Sequence, residues 1–250
     1  MGKSLSIYND LHKSVRDETD FFNRWITFYL EKFDAATKAV IENGVCLDAG
    51  CGGTGKGTLL INELKPARLL SMDINRTHSL QYKNIPATRF ICGDLLQIPF
   101  PDQTFDFILC NGVAHHTPDP VAAIRDLVRI LKPGGILHIS VYCFRNSLFD
   151  WSVKVMRALG TVVPFKVANK LFGSNFNMSV LLDHAYVPYE FVYGREEFRA
   201  LLSASGLDFQ DVVNPSSSYL KEKSFAGFLA RNERCLFGDG AILYFMCRKK

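Results

Sequence analysis

No stretch of this 250-residue chain approaches ~18 consecutive apolar residues, so no transmembrane helix is expected. Its first residues, MGKSLSIYNDLHK, lack the apolar core of a secretion signal. There is no internal repeat, no low-complexity tract and no C-x-x-C pair among the seven cysteines. The cysteines Cys46, Cys92, Cys110, Cys143 and Cys247 fall in or beside β-like apolar runs. That placement predicts buried, reduced thiols and a reducing, cytoplasmic setting. An excess of one charge is also missing. Lys and Arg total 29 against 25 Asp and Glu, a net charge of +4. The densest basic points, Arg231 to Arg234 and Arg248-Lys249-Lys250, are too short for a nucleic-acid surface, so no nucleic-acid partner is expected. Hydrophobic residues at 48% and charged residues at 22% are globular proportions, which excludes a disordered, collagen-like or wholly coiled-coil chain.

What is present is an alternation. Phe21, Phe22, Trp25, Phe28, Tyr29, Phe33, Ala36 and Val40 recur at spacings of three and four, which predicts an amphipathic helix over 19–42. Short apolar runs then follow at 45–49, 69–72, 89–92, 105–110 and 136–142, with helical stretches near 56–64, 76–84 and 119–131. The last of these should stop at Lys132-Pro133-Gly134-Gly135. Strands alternating with helices predict an α/β, doubly wound, mostly parallel sheet with right-handed crossovers. Residues 207–213 and 241–247 are β-like again and lack an ordinary crossover, so an antiparallel pair is expected there. The rhythm breaks over 143–205, which reads as a helical cap inserted after the fifth strand of a single domain.

In an open α/β sheet, ligands sit outside the carboxyl ends of the strands. Gly50 to Gly55, Asp73, Asp94 and Asn111 all fall at such ends. Gly50, Gly52 and Gly55 satisfy G-x-G-x-x-G after a strand and before a helix, a pattern that can cradle a dinucleotide pyrophosphate. Asp48, two residues before the first glycine, argues against that anion and suits a ligand carrying a cationic amine and a sulfonium. S-adenosylmethionine carries both. Asp73 can accept both ribose hydroxyls of either ligand, whereas Asp94 has a role, accepting from an adenine amine, only in the second.

The chain resembles the class I S-adenosylmethionine-dependent methyltransferases, of the small-molecule, type 11-like group. The resemblance rests on Leu47-Asp48-Ala49-Gly50-Cys51-Gly52, Met72-Asp73, and Gly93-Asp94-Leu95 followed by Ile98-Pro99-Phe100 and Phe105-Asp106. It also rests on His115-His116 with Asp119-Pro120, and on Leu131-Lys132-Pro133-Gly134-Gly135. It implies a seven-stranded sheet with an antiparallel strand near the C-terminus and S-adenosylmethionine as cofactor. By the same resemblance Asp48, Gly50 and Gly52 would hold the methionine part, Asp73 the ribose, and Asp94 and Leu95 the adenine; Cys51, Ile74, Gly93 and Asn111 are further candidate cofactor contacts. Thr54 stands where the family usually has glycine, which predicts a loop one residue longer.

A sulfonium methyl is already electrophilic, so the protein has mainly to align an acceptor and exclude water. His116 and His115, just past Asn111, are the candidate general bases. With Asp119 they could also be read as a metal cluster, but the spacing is no established ligand pattern, and no metal is expected. Asp183 and His184 form a second polar pair. From Tyr142 to Tyr193, 11 of 52 residues are aromatic, which makes Tyr142, Tyr186 and Tyr189 candidates to line a pocket for an aromatic or apolar small molecule. Lys154, Arg157, Lys166 and Lys170 among apolar residues in 152–172 allow a peripheral membrane contact. The alternatives are an RNA or protein methyltransferase, a non-catalytic S-adenosylmethionine-binding protein, and a nicotinamide oxidoreductase.

Overall fold

A computed structural model describes residues 26–27, 29–80, 82, 85, 88–143, 148–159, 164–172, 184–212 and 242–250. Seven strands form one sheet: β1 (Val45–Ala49), β2 (Arg68–Asp73), β3 (Thr88–Cys92), β4 (Phe105–Asn111), β5 (Leu131–Tyr142), β6 (Leu207–Val212) and β7 (Ile242–Lys249). Their order is β3-β2-β1-β4-β5-β7-β6. All pair in parallel except β7, which is antiparallel to both β5 and β6. This is the α/β sheet expected, with the antiparallel strand where the resemblance puts it. β1 begins two arms of the sheet, β2-β3 on one side and β4-β5 on the other, so the crevice at the carboxyl ends of β1 and β4 is the topological switch point.

Helices α1 (Ala35–Glu42), α2 (Lys56–Glu63), α3 (Pro120–Ile130), α4 (Leu148–Leu159), α5 (Phe165–Phe172) and α6 (Arg195–Ala204) accompany the sheet. Two of these starts have a local cause. Asp34 caps α1 by accepting the Thr37 N–H at 2.7 Å. Asp119 caps α3 by accepting the Ala122 N–H at 2.9 Å, with Pro120 in the first turn. The caps also correct two boundaries. The aromatic stripe expected to run as one helix over 19–42 is interrupted at Phe33 and Asp34, because the Asp34 cap restarts the helix. Residues 19–25 and Phe28 of that expectation lie outside the described residues. α3 ends at Ile130, ahead of the Lys132-Pro133 stop, because Leu131 already pairs with Phe105 and opens β5.

The central strands are buried on both faces, and each face has its core. On one side Leu47, Met72, Ile108, Ile124, Leu127, Phe198, Leu202 and Phe245 pack together. On the other, Tyr29, Phe33 and Ile41 cover Leu69, Phe107 and Ile136. His138 of β5 is buried here, its ring 5.2 Å from that of Tyr29. Phe198 and Leu202 belong to α6, so the end of the segment read as a cap, residues 195–204, packs into the main core. Among the described cysteines, Cys46, Cys51, Cys110 and Cys247 are buried thiols, but Cys92 is exposed because it ends the short edge strand β3. Among the described residues no helix is long and apolar enough to cross a membrane.

Candidate functional site

The loop after β1 is shaped by its glycines. Gly50 has φ +79° and Gly52 φ +61°, both in the left-handed region that side chains avoid. At Gly50 a Cβ would also come within 2.5 Å of Val113, in the turn after β4, so the two turns touch there. At Gly52 and at Gly112 a Cβ would meet nothing within 4 Å. The loop therefore presents bare backbone to open space on the switch-point side.

The loop is held from behind. The N–H groups of Gly50 and Cys51 both donate to the Met72 carbonyl, at 2.7 and 3.0 Å. Gly52 N–H donates to Asp73 Oδ2 at 2.9 Å, and Asn75 N–H to Asp73 Oδ1 at 2.8 Å. Each oxygen of Asp73 thus takes one backbone donor and has a second lone pair, and the His78 Nδ1 lies 3.5 Å from Oδ1. The Tyr82 hydroxyl reaches the carbonyls of Cys51 and Gly52 at 2.8 and 2.7 Å.

Asp48 lies inside the structure, 3% exposed. Its Oδ2 accepts the Thr58 hydroxyl at 2.7 Å, and Thr58 in turn meets Ser71 at 2.7 Å. Burial pushes the Asp48 carboxyl up to about 7; the Thr58 hydrogen bond opposes that shift and the charge of Asp73 adds to it. Gly57 is glycine because a Cβ there would come within 2.6 Å of Asp48 Oδ1. Asp48 is thus a buried carboxyl behind the loop, while Asp73 is the carboxylate at its rim.

The remaining positions expected to hold cofactor divide in the same way. Ile74 is 41% exposed, an apolar face beside Asp73. Asp94 Oδ1 accepts the Leu96 N–H at 2.9 Å, which shapes the turn after β3. Gly93 is a packing glycine: a Cβ would come within 2.6 Å of the Met72 sulfur. Leu95 is buried in the core. Asn111 Oδ1 accepts the Ser140 hydroxyl at 2.5 Å, joining the carboxyl ends of β4 and β5.

His115 and His116 form a short helical turn, Ala114–His116, after β4. His115 is fully buried, and neither ring nitrogen makes a hydrogen bond of good geometry. Burial, then the neighbouring His116 and His184, hold it well below the usual imidazole range. His116 Nδ1 donates to the Tyr189 carbonyl at 3.1 Å. Tyr142 sits among these rings, 4.2 Å from His115, 5.3 Å from His116 and 4.3 Å from His184 between centroids. Tyr189 is 46% exposed, whereas Tyr186 packs on Phe165 of α5. Among the described residues no group of three His, Cys, Asp or Glu could hold a metal. Asp183 lies outside the described residues.

Residues 47–139, from β1 into β5, match the family described as "Methyltransferase domain". That segment, with the sheet order around it, is a class I S-adenosylmethionine-dependent methyltransferase domain. Among curated members, the fatty-acid O-methyltransferase of Mycolicibacterium smegmatis is 31% identical over 138 residues, 54% of this chain and 49% of that protein. The phthiotriol/phenolphthiotriol dimycocerosates methyltransferase 1 of Mycobacterium ulcerans is 29% identical over 119 residues, 46% of this chain and 44% of that one. The chain thus spans about half the length of the curated relatives it matches. The plantazolicin methyltransferase BpumL, solved with a monoazolic desmethylPZN analog and SAH, superposes with TM-score 0.57 at 14% identity. It covers 97% of this chain and 90% of its own, and that likeness concerns the fold.

Several residues that shape this site carry no signal in the sequence. Thr58, Tyr82 and Val113 act through contacts 10 to 63 positions away in sequence from their partners. Gly112, at φ +73°, follows β4 directly and offered the one local signal, a glycine at a strand end.

Proposed function

We propose that this chain transfers the methyl group of S-adenosylmethionine to a small acceptor with an apolar body. The observation that carries the reading is the loop at the switch point. Its bare glycine backbone faces open space, with Asp73 at the rim and Asp48 buried behind. That donor set fits a ligand with ribose hydroxyls and a cationic amine, and disfavours one built on phosphates. When bound, S-adenosylmethionine supplies an electrophilic methyl group on a sulfonium. The backbone of Gly50 to Gly52 would hold its amino-acid part, and the second lone pairs of Asp73 its ribose hydroxyls. Ile74, exposed next to Asp73, would cover an apolar ring face.

The apolar acceptor is supported by three things. Two relatives are named for a fatty acid and for phthiotriol-type molecules. Trp151 and Val155 of α4 and Val167 of α5 are 54%, 54% and 48% exposed. The net charge is small. The test is incubation with methyl-labelled S-adenosylmethionine and a panel of long-chain alcohols, alkylphenols and fatty acids. Label should enter the organic extract. Label that enters only RNA or protein, or no transfer to any class, contradicts the proposal.

A further inference from the structure

The chain from His184 to Tyr193 is stitched onto the carboxyl edge of the sheet. Phe191 N–H donates to the His115 carbonyl at 2.9 Å and Tyr193 N–H to the Tyr142 carbonyl at 3.0 Å. The stitching completes a row of rings, His116, His115, Tyr142 and His184, with neighbouring centroids 4.1 to 4.3 Å apart. His184, at one end of the row, differs from the other two histidines in having an anionic partner. Its Nδ1 is hydrogen-bonded to Glu190 Oε1. The Glu190 side chain is only 4% exposed, and its other oxygen lies 3.2 Å from Arg157 Nη1. Arg157 also donates to the carbonyls of His184 and Val187, at 2.6 and 3.2 Å. One guanidinium from α4 thus holds the carboxylate and the backbone that carries the imidazole.

A carboxylate that accepts at Nδ1 fixes the imidazole tautomer with its basic lone pair on Nε2. A base oriented by a third group, beside a ligand crevice, is the arrangement that proton transfer requires. The Arg157–Glu190 pair also keeps a carboxylate buried at 4% exposure, which packing alone would replace more cheaply with an apolar side chain. We propose that His184 is the general base of this site, with Glu190 and Arg157 as its positioning residues, and that the acceptor group is a hydroxyl. The proposal rests on the methyl-transfer reading above and names its acceptor class. The acceptor oxygen gains the methyl carbon as the S–CH3 bond breaks, the bond pair stays on sulfur, and the hydroxyl proton passes to His184 Nε2. The imidazolium then returns the proton to solvent. Glu190 and Arg157 face the imidazole on one side, and Tyr142, His115 and His116 on the other.

His184→Asn separates this role from a merely structural one. The asparagine amide can still donate to Glu190 but has no basic nitrogen. With 1-hexadecanol and a 4-alkylphenol as probes, kcat should fall by about a hundredfold or more while KM changes little. Added imidazole should restore part of the loss in His184→Ala. Without any acceptor, the ring signals of His184 in labelled protein, assigned by their loss in His184→Asn, should show the Nδ1-protonated tautomer and shift when S-adenosylhomocysteine binds. The inference is overturned if S-adenosylhomocysteine binds and those signals stay still. It is equally overturned if His184→Asn turns over the hydroxyl probes at the wild-type rate, or if palmitate is methylated and the hydroxyl probes are not. Failure of S-adenosylhomocysteine to bind at all would instead remove the methyl-transfer reading beneath it.

Discussion

Asp73 Oδ2 accepts the backbone N–H of Gly52 at 2.9 Å, so the carboxylate that ends β2 also sets the position of the glycine loop after β1. One side chain thereby has two duties, holding the loop and facing a ligand. Asp73→Ala should weaken S-adenosylhomocysteine by ~1.5–3 kcal/mol, the scale of hydrogen bonds to a charged group, or roughly ten- to a hundredfold. Asp73→Asn, which keeps an acceptor, should lose less. Calorimetry on both folded variants checks the order, and equal affinity in all three proteins would remove Asp73 from the site.

Gly50 makes a second, steric prediction. Gly50→Ala combines a left-handed backbone with a Cβ 2.5 Å from Val113. The backbone term alone costs about 1–3 kcal/mol, and the contact adds to it. Val113→Ala in the same chain should return part of the loss, because it removes the two methyl contacts at 2.5 Å but leaves the Val113 Cβ at 2.8 Å and the backbone strain. Denaturant melts of the two single variants and the double variant measure this; strictly additive losses would mean that the two turns do not touch.

Three buried groups give opposing pH dependences. His138 is pushed down to about 4 by burial, and His115 moves in the same direction. Both are neutral in the fold, and the unfolded chain binds protons first below about 6.5. Their contribution is complete above that pH and is lost as the pH falls toward 4. Asp48 does the reverse. Its carboxyl is raised from 3.8 to about 7, so the fold favours the protonated form and loses stability as pH rises between those values. Asp48→Asn keeps a partner for Thr58 and removes the titration. The difference in unfolding free energy between variant and wild type should therefore grow with pH by up to about 1.4 kcal/mol per pH unit between pH 4 and 7. A constant difference would show that Asp48 titrates normally.

The legibility of the fold followed the range of the interactions. Strands β1 to β5 and helix α3 were readable because apolar runs and an Asp-Pro cap are local signals. The glycine loop after β1 and the acid that ends β2 were readable because both are local signals too. The helix break at Asp34 was missed because an aromatic stripe continues across it and a single cap decides it. The burial of Asp48 beneath Thr58, and the pairing of His184 with Glu190, depend on α2 and α4 docking. No periodicity carries that information. Arg157 looked like part of a basic helix face, yet it turns toward Glu190, because a buried carboxylate competes for it better than solvent does.

The cofactor is the centre of the account, and one titration addresses it. Calorimetry of the purified protein against S-adenosylhomocysteine and, separately, against NADH distinguishes the two ligands that a glycine loop of this pattern can take. The account predicts saturable, micromolar-range binding of S-adenosylhomocysteine, weakened in Asp73→Ala, and no saturable heat with NADH. Saturable NADH binding with no response to S-adenosylhomocysteine would contradict it.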